Sequence, residues 1–220
     1  MRWAGVPYCR RMATRLALLA GGSVYFQRHY LADLNPRGFI ALSAMIVGSR
    51  VRLGANVFID DRVVICQEPL GGPVEIGDRV RLQDDTHIHT GAGGSVKIGA
   101  DTHLHRGCQL TAVKAPIHIG CGVEIAARCA FYPYDHGFAP GEPIANQPLV
   151  TKGGITIEDE AWLGYGVIVL SGVRIGKGAV VGAGAVVTND VPDGGVAVGV
   201  PAKTIRMRGD ISQTDAVVRS

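Results

Sequence analysis

The residues able to do chemistry gather in two places. Residues 131–138 read FYPYDHGF and set Asp135 and His136 side by side behind two tyrosines and a proline. Residues 83–89 read QDDTHIH, and residues 103–105 read HLH. An imidazole beside a carboxylate is a candidate for moving protons near neutral pH. Histidines two apart resemble metal-ligand pairs instead. Which chemistry is open to each cluster depends on what positions it. The chain leading up to the first cluster is monotonous, being small, aliphatic and punctuated by glycine.

The 220 residues suffice for one domain with a real core, at most with an appendage. They are 47% hydrophobic but only 6% aromatic, with 31 glycines. A core without aromatics must use Val, Ile, Leu and Ala in a repeating geometry, which points to β-structure rich in turns. A net charge of +3 is too mild to argue for nucleic acid. The five cysteines (Cys9, Cys66, Cys108, Cys121 and Cys129) are odd in number and form no CxxC pair. That suits reduced thiols in a cytoplasmic protein. No apolar run reaches the roughly 20 residues that span a bilayer. The stretch RRMATRLALLAGGSVYF reads as a helix capping a scaffold, or as a weak contact with the inner membrane face through Arg10, Arg11 and Arg15.

A period runs through most of the rest. Ile157, Leu163, Val169, Ile175, Val181 and Val187 stand six apart, and four residues after each comes Ala161, Val167, Val173, Ala179, Ala185 or Val191. The rule continues upstream through Ile119, Ile125 and Phe131; Ile98, Leu104 and Leu110; Ile76, Leu82 and Ile88; and Val47, Leu53, Ile59 and Ile65. With three faces to a coil, the irregular steps 65→76, 88→98, 110→119 and 131→157 all fall at one corner. Three hexapeptides per coil of about 18 residues predict an all-β parallel β-helix of about five to six triangular coils. The expected organisation is a helical cap and lead-in over 1–45, the β-helix over 46–192 with a loop at 137–156, a second cap over 193–208, and a tail over 209–220. Cys108 and Cys129 fall on the same small inward position of successive coils, as buried hydrophobes.

Hexapeptides of this kind resemble the left-handed β-helix acyltransferases. The segment QPLVTKGGITIEDEAWLGYGVIVLSGVRIGKGAVVGAGAVVTNDVPDGGVAVGVPAK (147–203) resembles the sugar O-acetyltransferases acting on maltose, galactosides, nodulation factors and surface polysaccharides. The specific marks are the DH loop, QP…TKG, W-L-G and GVPAK. The resemblance implies a homotrimer with sites between subunits, acetyl-CoA as co-substrate, no required metal, and a loop histidine as general base, here His136. Asp135 would orient the acceptor or the imidazole, or serve only as a turn residue. Tyr134, with Tyr132, would stack on a sugar or shield the corner. On the CoA side the matching positions are Trp162, Tyr165, Ala183, Thr188, Asn189 and Lys203. Two depart from the pattern: Asn189 stands where a lysine is common, and Tyr165 where a small residue is usual.

The other histidines invite a zinc reading, because carbonic-anhydrase-like hexapeptide proteins share the fold and QDDTHIH resembles their QD motif. His89 would be the first ligand. The register puts Arg106 and Thr111 where the other two should fall, and one ligand of three does not hold catalytic zinc. His89 remains a candidate for the acceptor pocket. The expected function is transfer of acetyl from acetyl-CoA to a sugar or glycan hydroxyl, in surface polysaccharide biosynthesis. An amino-sugar N-acetyltransferase is the alternative, and a non-catalytic scaffold the third class.

Overall fold

The computed structural model describes residues 28–210. The cap expected from Arg10, Arg11 and Arg15, Cys9 and most of the terminal tail lie outside the described residues. The chain enters through a short helix, α1 (Tyr30–Asp33), and then winds as a prism. The first coil is β1 (Phe39–Ile40), β2 (Met45–Val47) and β3 (Val51–Leu53). The second is β4 (Phe58–Ile59), β5 (Val64–Gln67) and β6 (Val74–Ile76); the third is β7 (Arg81–Leu82), β8 (His87–Thr90) and β9 (Val96–Ile98). The fourth is β10 (His103–Leu104), β11 (Gln109–Ala112) and β12 (Ile117–Ile119). In the fifth, β13 (Glu124–Ile125) and β14 (Ala130–Tyr132) precede a loop that carries β15 (Asp135–His136) and β16 (Leu149–Val150), and β17 (Ile155–Ile157) completes the turn. The sixth is β18 (Trp162–Leu163), β19 (Ile168–Leu170) and β20 (Arg174–Ile175), and the seventh opens with β21 (Val180–Val181) and β22 (Val186–Val187). Then β23 (Gly195–Val198) continues the first face, and β24 (Lys203–Met207) pairs antiparallel along its edge.

Three parallel sheets result. Sheet A runs from β1 through β4, β7, β10, β13, β18 and β21 to β23 and β24; sheet B joins β2, β5, β8, β11, β14, β19 and β22; sheet C joins β3, β6, β9, β12, β17 and β20. The columns are those of the six-residue period: Ile65, Ile88, Leu110, Phe131, Val169 and Val187 pair in turn on sheet B. Their side chains are essentially inaccessible, as are those of Leu82, Leu104 and Ile125 on sheet A. The core is therefore a linear stack in which each coil is buried only by its neighbours.

Two details depart from expectation. There are about seven coils, not five to six, because the chain is already winding at Phe39. At that end aromatic side chains replace the aliphatic pattern: Phe39 and Phe58 stack with centroids 5.4 Å apart, and the Arg28 guanidinium lies over Phe39. In the first coil, moreover, Ile46 and not Val47 pairs with Ile65, and Val47 is exposed. One extra residue sits in the turn to Leu53, and adjacent aliphatics hide it from a count of residue types.

The corners are not equivalent. Each turn from C to A carries one left-handed residue: Asn56, Arg79, Asp101, Gly122, Glu160, Gly178 and Gly194. From the second coil on, so does each turn from A to B: Arg62, Asp85, Gly107, Arg128, Gly166 and Gly184. Stacking leaves these turns little room. A Cβ on Gly164 would come within 2.6 Å of the Ala183 backbone nitrogen in the next coil. The B-to-C corner has no such uniform turn, and every long excursion departs from it.

Candidate active site

The largest excursion leaves sheet B after Tyr132 and rejoins sheet C at Ile155. Asp135 and His136 belong to the loop itself. They form a two-residue antiparallel ladder in which Asp135 pairs with Val150 and His136 with Leu149. The motif residues around them are braces. The Thr151 hydroxyl donates to the Pro133 carbonyl at 2.6 Å. The buried Gln147 amide accepts from the Ala139 N–H at 2.7 Å and donates to the carbonyls of Ala139 and Glu142, both at 2.9 Å. A Cβ on Gly137 would press on Pro148 O and Gln147 at 3.0–3.1 Å, so a side chain after His136 would have to displace the brace by a few tenths of an ångström.

Asp135 receives a hydrogen bond from the Ser171 hydroxyl at 2.9 Å. Ser171 is buried in the B-to-C turn of the next coil, so this bond ties the hairpin to the prism. Gln147 opens the QP…TKG mark, though only the structure gives it a bracing role; Ser171 had no assigned role, and a polar residue at a turn within an otherwise aliphatic coil was the available signal. His136 is exposed, and its ring has no hydrogen-bond or ion-pair partner among the described residues. Tyr132 donates to Gln109 Oε1 at 2.9 Å, and Tyr134 stands edge-on to it with centroids 6.2 Å apart. Burial, followed by the neighbouring Tyr132, raises the Tyr134 phenol above its usual value.

His89 projects from sheet B two coils earlier, between Cys66 and Thr111 in register. Its Nε2 lies 2.9 Å from Glu68 Oε1. His87 shares that strand, His103 is on sheet A and His118 on sheet C. His103 Nδ1 meets Glu124 Oε1 at 2.8 Å. Cys108 and Cys129 are buried one above the other, donating to the carbonyls of Ala126 and Gly164 at 3.3 and 3.2 Å. The neighbouring Cys129 thiol, and then burial, hold the Cys108 thiol well above its ordinary value.

The other candidate positions fall into separate groups. Trp162 is exposed on sheet A, in register with Glu124 below and Val180 above. Tyr165 and Ala183 stand at the A-to-B corner in successive coils, and the Tyr165 carbonyl accepts from the Gly184 N–H at 2.8 Å. Lys203 opens the edge strand opposite Val198. Thr188 and Asn189 lie beyond β22 at the B-to-C corner, joined by a 3.0 Å bond from the Asn189 amide to the Thr188 hydroxyl. His136 shares that corner with them. A full face of the prism therefore separates His136 from Trp162 within one chain. A histidine on a braced, protruding hairpin can deliver an imidazole to a bound molecule, but not to one lying against Trp162 of its own sheet A.

A family model described as bacterial transferase hexapeptide (six repeats) matches residues 154–189, which run from the loop's end through β22. A 2,3,4,5-tetrahydropyridine-2,6-dicarboxylate N-acetyltransferase of Staphylococcus aureus (strain JH9) is 37% identical over 98 residues, covering 44% of this chain and 34% of that protein. The chain thus spans about a third of the length of the curated relatives it matches. Among solved structures, the N-acyltransferase AntD from Bacillus cereus, in complex with dTDP-4-amino-4,6-dideoxyglucose and coenzyme A, superposes with a TM-score of 0.60 at 24% identity. It covers 76% of this chain and 87% of its own, a likeness of fold. The polySia-specific acetyltransferase NeuO superposes with a TM-score of 0.50 at 25% identity, covering 78% and 91% of the two chains. The architecture is that of the left-handed β-helix acyltransferases.

Proposed function

We propose, taking the hexapeptide β-helix as premise, that this protein moves an acetyl group from acetyl-CoA to a hydroxyl of a sugar or glycan. The observation that carries the reading is the braced hairpin, which holds His136 outward with a free imidazole. An acetyl thioester is already activated. The acceptor hydroxyl must lose its proton as it attacks, and His136 takes it. The tetrahedral oxyanion then collapses, the C–S bond breaks, and the CoA thiolate leaves, to be protonated by the imidazolium. General-base assistance of this kind contributes typically about 10²–10⁴-fold. Backbone N–H donors meet the oxyanion, and alignment of the two substrates supplies much of the remainder. Direct transfer is favoured over an acyl-enzyme, since among the described residues no serine or cysteine pairs with His136. Asp135 serves as a brace, through Ser171, that fixes the hairpin from which His136 projects.

The separation of His136 from Trp162 supports a homotrimer. In such an assembly the loop of one subunit crosses onto sheet A of its neighbour, where Trp162, Tyr165 and Ala183 line the acetyl-CoA groove and Lys203 meets its phosphates. Thr188 and Asn189, on the loop's own corner, contact the cofactor from the other side, and Tyr134 and His89 border the acceptor. We place the reaction in surface polysaccharide assembly, at the cytoplasmic side of the membrane. No helix among the described residues is long and apolar enough to cross a bilayer.

Thiol release from acetyl-CoA, measured against an acceptor panel with wild type and His136→Ala, tests the mechanism. A variant that keeps the full rate sinks it. The N-acetyltransferase name of the Staphylococcus relative favours a second reading, an amine acceptor. Mild hydroxylamine separates the two, since it strips an acetyl ester and leaves an amide.

A further inference from the structure

Sheet A carries a second feature outside the loop chemistry, a cavity of about 250 Å³ beside the A-to-B corner of the second to fourth coils. Arg28, Arg62, Arg81 and Arg106 line it, with His29 and His103. Most of its charge is already matched. Arg28 reaches Asp60 at 3.3 Å and Asp61 at 2.6 Å, Arg62 reaches Asp85 at 2.7 Å, and Arg106 is 3.6 Å from Asp84. Arg81 differs: its side chain has no hydrogen bond and no carboxylate within 4.0 Å among the described residues, although its backbone N–H donates to the Thr102 carbonyl in the sheet. His29 and His103 stand near it, and the carboxylate that feels its charge, Asp101, is already held by Arg79 at 2.6 Å. The His29 imidazole is held below its ordinary value first by burial and then by the Arg81 charge, with His103 adding to the effect. The carboxylates that line the cavity, Asp60, Asp61 and Asp84, are engaged by Arg28, Arg62 and Arg106, so the Arg81 charge lacks a close partner there and a bound anion would supply one. The fork of a free guanidinium matches a carboxylate or phosphate with two parallel hydrogen bonds.

The position of this cavity links it to the proposed site. Arg81, His103, Glu124 and Trp162 form one outward column in register on sheet A. Three coil steps separate Arg81 from Trp162, about 14 Å. Glu124 joins the two regions, since it pairs with His103 and also borders the open depression that holds Trp162.

We propose that the acceptor bears an oxyanion, a carboxylate or a phosphate, and that Arg81, with His29 and His103, binds it in this cavity while the acetylated end lies toward Trp162. This rests on the sugar-acetyltransferase reading and specifies its substrate class. The probes are UDP-N-acetylglucosamine for phosphate, a sialic acid dimer for carboxylate, and maltose as the neutral control. Each is titrated calorimetrically, without acetyl-CoA, into wild type, Arg81→Gln and the exposed sheet C control Lys97→Gln. At least one anionic probe binds the wild type, weakens at least about 10-fold in Arg81→Gln and under about 2-fold in Lys97→Gln, as loss of a bidentate charged pair requires. Which probe binds identifies the source of the oxyanion. Equal binding of the anions to wild type and Arg81→Gln, no binding of either anion, or a preference for maltose overturns the proposal. An anion held through Arg81 that never accepts acetyl keeps the subsite and sinks the transferase reading. Sugar acetylation unchanged by Arg81→Gln does the reverse.

Discussion

The A-to-B and B-to-C corners lie on either side of the same sheet and follow opposite rules. At the first, from the second coil on, each turn has one left-handed residue, and backbone stacks on backbone closely enough that Gly164 leaves no room for a Cβ beneath Ala183. At the second, excursions of different lengths leave from successive coils, and the longest carries Asp135 and His136. A solenoid propagates any change in turn length to every coil stacked on it, unless the extra chain is expelled sideways. Protruding segments therefore gather where the stack tolerates variation. The tight corner supplies regularity and a bare backbone surface, and the loose one supplies protruding side chains.

Four experiments put that division under strain, in descending order of effect. His136→Ala should cost about 10²–10⁴ in kcat, or about 3–5 kcal/mol of barrier, with an unchanged melting temperature. A matching loss of stability would mean that the loose corner is structural after all. Gly164→Val should do the opposite: overpacking against the Ala183 backbone is expected to cost about 1–3 kcal/mol in urea unfolding. A neutral result would show that the stack yields more than the geometry implies. Ser171→Ala and Gln147→Ala remove braces of the hairpin, each expected to cost about 1 kcal/mol. Their larger signature should be a fall in kcat at nearly constant acetyl-CoA KM, since a loop displaced by about 1 Å can cost about 10²-fold. If Asp135 is an incidental turn residue, Ser171→Ala leaves kcat alone. Smallest of all, a Gly-Ser insertion after Gly141, whose surroundings are open, should change stability by only about 0.1 kcal/mol. The same insertion after Gly184, in a tight turn, should be plainly destabilising by differential scanning calorimetry.

Much of this was legible before any coordinates. The three inward columns, the single corner for insertions and the stacked cysteines follow from a six-residue count, because a buried inward position accepts only a few residue types. The slip at Ile46 and Val47 was not legible. Two neighbouring aliphatics satisfy the count equally, and only pairing with Ile65 decides between them. The six-residue count reaches the first coil through Val47 and Leu53 but not its first strand, because Phe39 and Phe58 fill the prism's end with aromatics, outside the aliphatic rule. The hairpin was missed because Asp135 and His136 continue the six-residue count while their backbone hydrogen bonds go to Val150 and Leu149.

The sequence by itself determined the period, the faces and the place where regularity breaks, since burial of two side chains in every six is a local demand repeated many times. Tertiary structure decided what no local demand encodes. It joined Asp135 to Ser171 across 36 residues, left Arg81 without a counter-ion at the head of a column leading to Trp162, and set His136 a full face away from that tryptophan. Those relations depend on which outward residues the coils stack over one another, and outward positions, facing water, place almost no constraint on residue type from which stacking could be inferred.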